Sequence, residues 1–421
     1  MYSISSVIHY FVEYNRYYNG IGMCVVLAIA WLFSRHKTKI NMRLVACALA
    51  LQGVIGFLVL RTTMGSLFIE KWSIGVSYLY KSALEGTRFL FGNLATADGS
   101  WGHVFAIQVL PMIIFFGAFM ALLFHYGIVQ KIVAVLGALV RPLLGTTGAE
   151  TLCAVANTFL GQTEAPLLIR HYLASMTESE LFVVMVSGMA TISGSILVVY
   201  ASFGIPVKHL LASSVMAIPA AILIAKIMIP ETEESKTDTV TVEPVGTKGN
   251  VFEALSNGTS DGLQLTLNVA AMLLSFYALI VLINSVIGGC GSLMNYYGGF
   301  ALPTLSLNVI FSWLFAPIGY MFGFVGQEAL SIGQLIGTKI SLNEFFAYRD
   351  LVAMGISERA TMIATYALCG FSNFSSIGIQ IGGIGALVPS KKTVLTRLGL
   401  KAVLGGMLAN ILTAMVAGLL I

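Results

Sequence analysis

The sequence predicts an all-α polytopic membrane protein. Of its 421 residues, 57% are hydrophobic and only 10% charged, where a soluble domain usually carries about 25% charged residues. Long segments also run without any charge, among them 104–124, "VFAIQVLPMIIFFGAFMALLF", and 304–325. About 20 apolar residues cross a bilayer as a helix. The net charge of +4 is small and points to no nucleic-acid partner. The cysteines at 24, 47, 153, 290 and 369 lie mostly inside apolar runs. With no CxxC among them, they read as core thiols rather than disulfides or metal ligands. The N-terminus lacks a basic region followed by a small-residue cleavage site, so no cleaved signal is expected.

Taken in order, eight segments are expected to span: 21–33 with its flanks, 44–60, 104–124, 181–205, 210–229, 263–287, 360–388 and 398–421. Between the second and third lies a different pattern. Ile69, Trp72, Val76, Leu79 and Ala83 recur at helical spacing, with Glu70, Lys71, Lys81, Glu85 and Arg88 largely elsewhere. That is a helix lying in the membrane interface over 67–92. The stretches 129–145, 149–175 and 304–350 are apolar but interrupted. Residues 230–250, "PETEESKTDTVTVEPVGTKGN", have no helical period and read as a flexible cytoplasmic linker. Basic residues crowd the loops 34–43 and 390–397. Both are therefore expected on the cytoplasmic side, with both termini outside.

Sliding the sequence along itself until Glu164 falls on Glu344 reveals an internal repeat. At that offset Thr177-Glu178 meets Ser357-Glu358, and "GMATISGSIL" at 188–197 meets "LCGFSNFSSI" at 368–377. The Thr177 and Ser357 pairs mark two helix starts, each a hydroxyl cap with an acid in the first turn. Three expected crossings separate the two acidic stretches. An odd number reverses the second copy, which makes an inverted repeat, the plan of many secondary transporters.

The polar residues within the oil carry the functional signal. Gly161 and Pro166 flank Gln162, Thr163 and Glu164 in "ANTFLGQTEAPLLIR". A spanning helix does not survive both, so a re-entrant hairpin with a polar tip is expected. Irregular backbone at membrane depth is tolerated only against protein or a water-filled cavity. The tip, with Gln162 and Thr163, should therefore line a site. An acid at bilayer centre costs about 2.5–3.5 kcal/mol, so Glu164 and Glu344 need a compensating role. They could bind a coupling cation, relay protons or accept hydrogen bonds from substrate hydroxyls. The bland alternative is a structural pair with Lys339, Arg349 or Arg170. "CGFSNFSSIGIQIGGIGALVP" at 369–389 reads as an unwound helix, with Asn373 and Ser376 on one face where it is helical. Phe371 there fits stacking on a ring or ordinary packing. Around the first break, Thr191, Ser193, Ser195 and freed carbonyls, with Asn157 before the hairpin tip, are hard oxygen ligands. Such ligands suit a small hard cation such as sodium; a titrating acid would serve a proton instead.

"GQTEAPLLIR" at 161–170, "LNEFFAY" at 342–348 and "GFSNFSSIGIQIGG" at 370–383, in this order and spacing, resemble the concentrative nucleoside transporter family in its shorter bacterial form. The resemblance covers nearly the whole chain. It implies a multi-pass protein of the inner membrane that takes up nucleosides such as uridine, cytidine or adenosine by symport, usually with sodium, and is not an enzyme. It also implies a homotrimer in the lipid, with eight spanning helices, an interfacial helix and two re-entrant hairpins. By motif, Gln162, Thr163 and Glu164 would meet the nucleobase, Glu344, Asn373 and Ser376 the ribose, and Ile196 and Phe371 would border the base. Sodium would sit on Asn157, the Leu160 carbonyl, Thr191 and the Ile192 carbonyl. The expected division is 1–100 and 101–148 as scaffold and connecting helices, 149–229 as the first transport repeat and 230–262 as the linker. A scaffold helix at 263–303 and the second transport repeat at 304–421 complete it. A proton-coupled symporter is the nearest rival. A channel or a membrane-embedded hydrolase using the two glutamates stands further off.

Overall fold

A computed structural model describes residues 10–96, 104–237, 250–298 and 303–421 of the chain. Among these residues the regular elements are all helices. They run α1 Tyr17–Leu32, α2 Met42–Arg61, α3 Thr63–Phe91, α4 Phe105–His125, α5 Ile128–Leu144 and α6 Gly148–Ala156. Then come α7 Glu178–Ala190, α8 Gly194–Ser202, α9 Val207–Met228, α10 Val251–Gly298 and α11 Leu307–Met321. The chain closes with α12 Gln327–Ser341, α13 Glu344–Ala353, α14 Glu358–Leu368, α15 Phe374–Leu387 and α16 Lys392–Leu420. Six stretches among the described residues are long and apolar enough to cross a bilayer: Met42–Arg61, Phe105–His125, Glu178–Ser202, Val207–Met228, Val251–Gly298 and Pro389–Leu420. The chain is an integral membrane protein. Two of the eight expected spans fall outside this set. Helix α1 has only 16 residues, and the segment 360–388 is divided into α14 and α15.

The caps explain where helices begin. Asn41 Oδ1 accepts from the Arg43 and Leu44 amides and starts α2. Thr147 with Glu150, and Thr177 with Glu180, form reciprocal capping boxes on α6 and α7. Helix α3 has the face expected of it: Ile69 and Ala83 are buried and Trp72, Val76 and Leu79 half-buried, while the five charged residues are exposed. The linker differs from expectation. Asn250 Oδ1 caps the Glu253 amide at 2.9 Å, and Gly258 and Gly262 let this end of α10 lie against Gly117 of α4. Residues 251–262 are therefore helix rather than linker, and the boundary expected at 263 falls inside α10; 238–249 lie outside the described residues. Cys24 and Cys290 are exposed, not core thiols; the outer surface of a membrane protein is as apolar as its interior.

The repeat is visible in the helices themselves. Thr177 caps α7, and its counterpart Ser357 caps α14. Ser193 caps α8, and its counterpart Asn373, at the same offset, caps α15. Helix α16 is the spine between the copies. At one end, Glu178 of α7 accepts from Arg397 at 2.7 Å and from Arg35 at 2.6 Å, so the two basic loops share one end of the molecule. At the other end, Arg359 of α14 donates to the Gly418 carbonyl at 3.1 Å. The two helices thus enter from opposite ends of α16. Both stop at its middle, where Asn410 Nδ2 donates to the Ala190 carbonyl at 2.7 Å and the Cys369 carbonyl at 2.8 Å.

One buried ion pair ties α6 to α9. Lys226 Nζ lies 2.8 Å from Glu150, whose side chain is 1% exposed, and 3.3 Å from Glu231. Removing one partner of a buried pair strands the other charge. Glu150→Ala should therefore cost about 3 kcal/mol, measured as a lower unfolding temperature of the detergent-solubilised protein. An unchanged temperature would mean that Glu231 alone holds the lysine.

Candidate functional site

Each half of the molecule contributes a short helix followed by a turn, and a broken helix. After α6 the chain passes through turns at 157–164, then a 3-10 turn at Ala165–Ile169 with Pro166 in its first turn. Its counterpart is α12 and α13, joined through Leu342 and Asn343, which places Glu344 at the first position of α13. The breaks at 191–193 and 369–373 face each other: the Phe371 amide donates to the Thr191 carbonyl at 3.3 Å. Gly194 ties the first break to the turns after α6 by donating to the Phe159 carbonyl at 3.1 Å.

A cavity of about 170 Å³ lies between these four pieces. Gln162, Thr163, Glu164, Ile196, Glu344, Phe371, Asn373 and Ser376 all line it. Residues from opposite halves of the sequence thus share one small volume. Glu344 accepts from the Tyr200 hydroxyl at 2.7 Å on one oxygen and from Asn373 Nδ2 at 3.0 Å on the other. A carboxylate offers about four lone-pair positions, so acceptor capacity remains for further donors. Asn373 can do this because its Oδ1 is engaged as the α15 cap, accepting from the Ser376 amide at 3.0 Å. Its Nδ2 is thereby turned toward Glu344. Gln162 Nε2 donates to Ser376 Oγ at 3.2 Å and links the halves, while Gln162 Oε1 is buried with no partner. A buried unpaired acceptor is costly, and this one suits an incoming N–H. Phe371 and Ile196 supply apolar wall.

Glu164 differs from Glu344. Its carboxylate accepts from the Gly161 amide at 3.1 Å and remains accessible. It stands where the small cavity joins a wider one of about 670 Å³, lined on α10 by Asn257, Asp261, Gln264 and Asn268. The structural pairs that sequence allowed do not form. Among the described residues neither glutamate is in an ion pair; Arg349 turns to Asp350 and Arg170 to His171.

The four residues expected to hold sodium are all buried: Asn157 is 0%, Leu160 1%, Thr191 2% and Ile192 1% exposed. Ser187 gathers two of them, its Oγ accepting from Asn157 Nδ2 at 3.0 Å and its carbonyl from Thr191 Oγ1 at 2.9 Å. Asn157 Oδ1 is buried with no hydrogen-bond partner. An orphaned hard oxygen beside a hydroxyl and a broken helix fits a small hard cation.

Several participants escape sequence reasoning. Tyr200 and Ser187 sit inside apolar helices, just outside the stretch 188–197 that the sequence singles out. Lys339 was legible only as a charge partner, and Asn410 as a polar residue in a long apolar helix.

Family models match most of the chain. "Na+ dependent nucleoside transporter N-terminus" matches residues 21–94, "Nucleoside recognition" 106–207, and "Na+ dependent nucleoside transporter C-terminus" 209–418. The nucleoside permease NupC of Helicobacter pylori is 41% identical, over 97% of this chain and 98% of its own. Human sodium/nucleoside cotransporter 1 is 37% identical, over 95% of this chain and 63% of its own. The structure of CNTnw in an inward-facing substrate-bound state matches with a TM-score of 0.89 at 40% identity, covering 96% of this chain and 97% of that one. A variant of CNTnw in an outward-facing state matches with a TM-score of 0.90 at 39% identity and the same coverage.

The crossing of the two breaks depends on Gly370. A Cβ there would sit 2.5 Å from Asn410 Oδ1 and 2.8 Å from the Met189 carbonyl. Gly370→Ala should therefore destabilise the protein by about 1–3 kcal/mol. Gly75→Ala, where a Cβ meets nothing within 4 Å, should leave stability unchanged or raise it. Thermal unfolding of both proteins in detergent checks the contrast.

Proposed function

Since the chain belongs to the concentrative nucleoside transporter family, which are transporters and not enzymes, we propose that it imports nucleosides by sodium symport across a bacterial inner membrane. One observation carries the reading: eight polar and apolar side chains from both repeats line one cavity around a hydrogen-bonded carboxylate.

Glu344, Asn373 and Ser376 hold the ribose. The acceptor capacity left on Glu344 suits hydroxyl donors of a ribose. Gln162, Thr163 and Glu164 meet the base, with the free Gln162 Oε1 receiving one of its N–H groups. Ile196 and Phe371 flank the ring. Sodium sits on Asn157, the Leu160 carbonyl, Thr191 and the Ile192 carbonyl, and orders the first hairpin tip. The tip carries the base contacts, so ion and nucleoside favour each other's binding, and that coupling is reciprocal.

Transport proceeds by alternating access. The hairpins and broken helices, 149–205 and 326–389, move as a unit against a scaffold built on residues 1–100, α4 and α10. Eight spans, an interfacial α3 and two re-entrant hairpins complete the plan, and three copies associate. The wider cavity runs along the first turns of α10, on the linker side, so this conformer is read as open inward. Related structures of CNTnw in inward, intermediate and outward states support such a cycle.

Radiolabelled uridine and adenosine uptake into proteoliposomes tests the proposal, with and without an inward sodium gradient at fixed pH. Accumulation only with sodium is expected. Accumulation driven by a pH gradient without sodium would replace the ion but keep the substrate. Glu344→Gln should weaken ribonucleoside binding about ten- to a hundredfold through charge-assisted hydrogen bonds, and 3′-deoxy analogues less. Equal losses would remove the ribose assignment. Thr191→Ala should raise the sodium concentration for half-maximal uptake about three- to tenfold; an unchanged value would place the ion elsewhere.

A further inference from the structure

The two repeats differ in one respect at their breaks. In the first, Asn157 Oδ1 is a buried oxygen with no partner. The corresponding position in the second, at the offset that pairs Glu164 with Glu344, is Gly337, which has no side-chain oxygen. Just beyond it, α12 instead carries Lys339, an ammonium at 1% exposure. Its Nζ donates to the Ala367 carbonyl at 2.9 Å and to Asn410 Oδ1 at 2.7 Å. Among the described residues it has no carboxylate within ion-pair distance, although Glu344 is in electrostatic reach.

The register makes these surroundings specific. Ala367 is the counterpart of Ser187, which gathers Asn157 and Thr191 in the first repeat. Ser372 is the counterpart of Ile192, and its hydroxyl donates to Asn410 Oδ1 at 3.2 Å. The lysine therefore lies at the carbonyl end of α14, bonded to the counterpart of the residue that gathers two of the first repeat's cation ligands, and it shares Asn410 Oδ1 with Ser372, the counterpart of a third. An ammonium without a carboxylate partner in a protein interior needs compensating negative charge. The C-terminal ends of α7 and α14, each equivalent to about half a negative charge, converge there on Asn410.

We propose that Lys339 is a resident cation: its ammonium fills in the second repeat the position that a sodium ion takes in the first. The protein then draws one ion from solution where a symmetric molecule would draw two. Taking the lysine away leaves the Ala367 carbonyl, Asn410 Oδ1 and Ser372 Oγ as hard oxygens suited to a sodium ion. This inference rests on the sodium-coupled reading above.

The test is uridine binding to the purified protein by calorimetry, across sodium concentrations balanced with N-methylglucamine. In Lys339→Ala the Hill coefficient for sodium should rise above the unmodified protein's, by at most one, since the coefficient is bounded by the number of sites. Lys339→Arg, which keeps the charge, should retain the unmodified protein's coefficient. Lys339→Gln keeps a donor without the charge; it should show the same rise as alanine, and it decides alone if the alanine protein does not fold. Unchanged sodium dependence in the neutral variants would overturn the proposal and make Lys339 a hydrogen-bonding strut. If the unmodified protein ignores sodium, the coupling reading fails and takes the proposal with it, whereas a sodium-responsive protein with unaltered neutral variants fails the proposal alone.

Discussion

Two helices stop halfway through this protein, and their last carbonyls must be satisfied without water. Asn410 does it for both. Its amide nitrogen donates to Ala190 at the end of α7 and to Cys369 at the end of α14, and its oxygen accepts from Lys339 and Ser372. Broken helices are tolerated at membrane depth only when protein re-satisfies the freed groups. Much of the site depends on this one junction, because Ile196, Phe371, Asn373 and Ser376 hang from the breaks it closes.

Once the breaks are held, the new helix starts become useful. Ser193 and Asn373 cap α8 and α15, and caps present their side chains at the point where the chain changes direction. Asn373 serves both structure and site: its oxygen starts a helix and its nitrogen orients Glu344. Tyr200, one helix away and packed at a tilt against Tyr348 at 4.4 Å between centroids, fixes the other carboxylate oxygen. Glu344 is held in a rigid frame of donors, whereas Glu164 is held by one backbone amide beside the wider cavity. Two acids that the repeat relates have come to occupy different environments.

The asymmetry extends to the cations. The first break keeps an unsatisfied oxygen and the second keeps a lysine. An inverted repeat gives two equivalent frames, but substitution within each is independent, so one frame can bind an ion while the other carries its own charge. Close packing of the frames relies on small residues, as at Gly370 against Asn410 and Gly406 of α16 against Met189 and Ser372. Helix association in a membrane gains from such close approach.

The fold class, the amphipathic α3, the hydroxyl-capped starts at Thr177 and Ser357, and the repeat that pairs Glu164 with Glu344 were all legible in the sequence, because each is written in local composition or spacing. So were the six polar side chains that meet in the cavity, since polar residues in an apolar chain stand out, whereas Ile196 came only from the family resemblance. The start of α10 was not, because its first turns look polar and are held by glycine contacts with α4. Tyr200, Ser187, Asn410 and the position of Lys339 were also hidden. The sequence by itself determined what kinds of groups enter the membrane and at what intervals. Only the tertiary structure decided which of them meet, because hydrogen bonds between residues as distant as Ala190 and Asn410 exist solely where two independently broken helices are brought end to end.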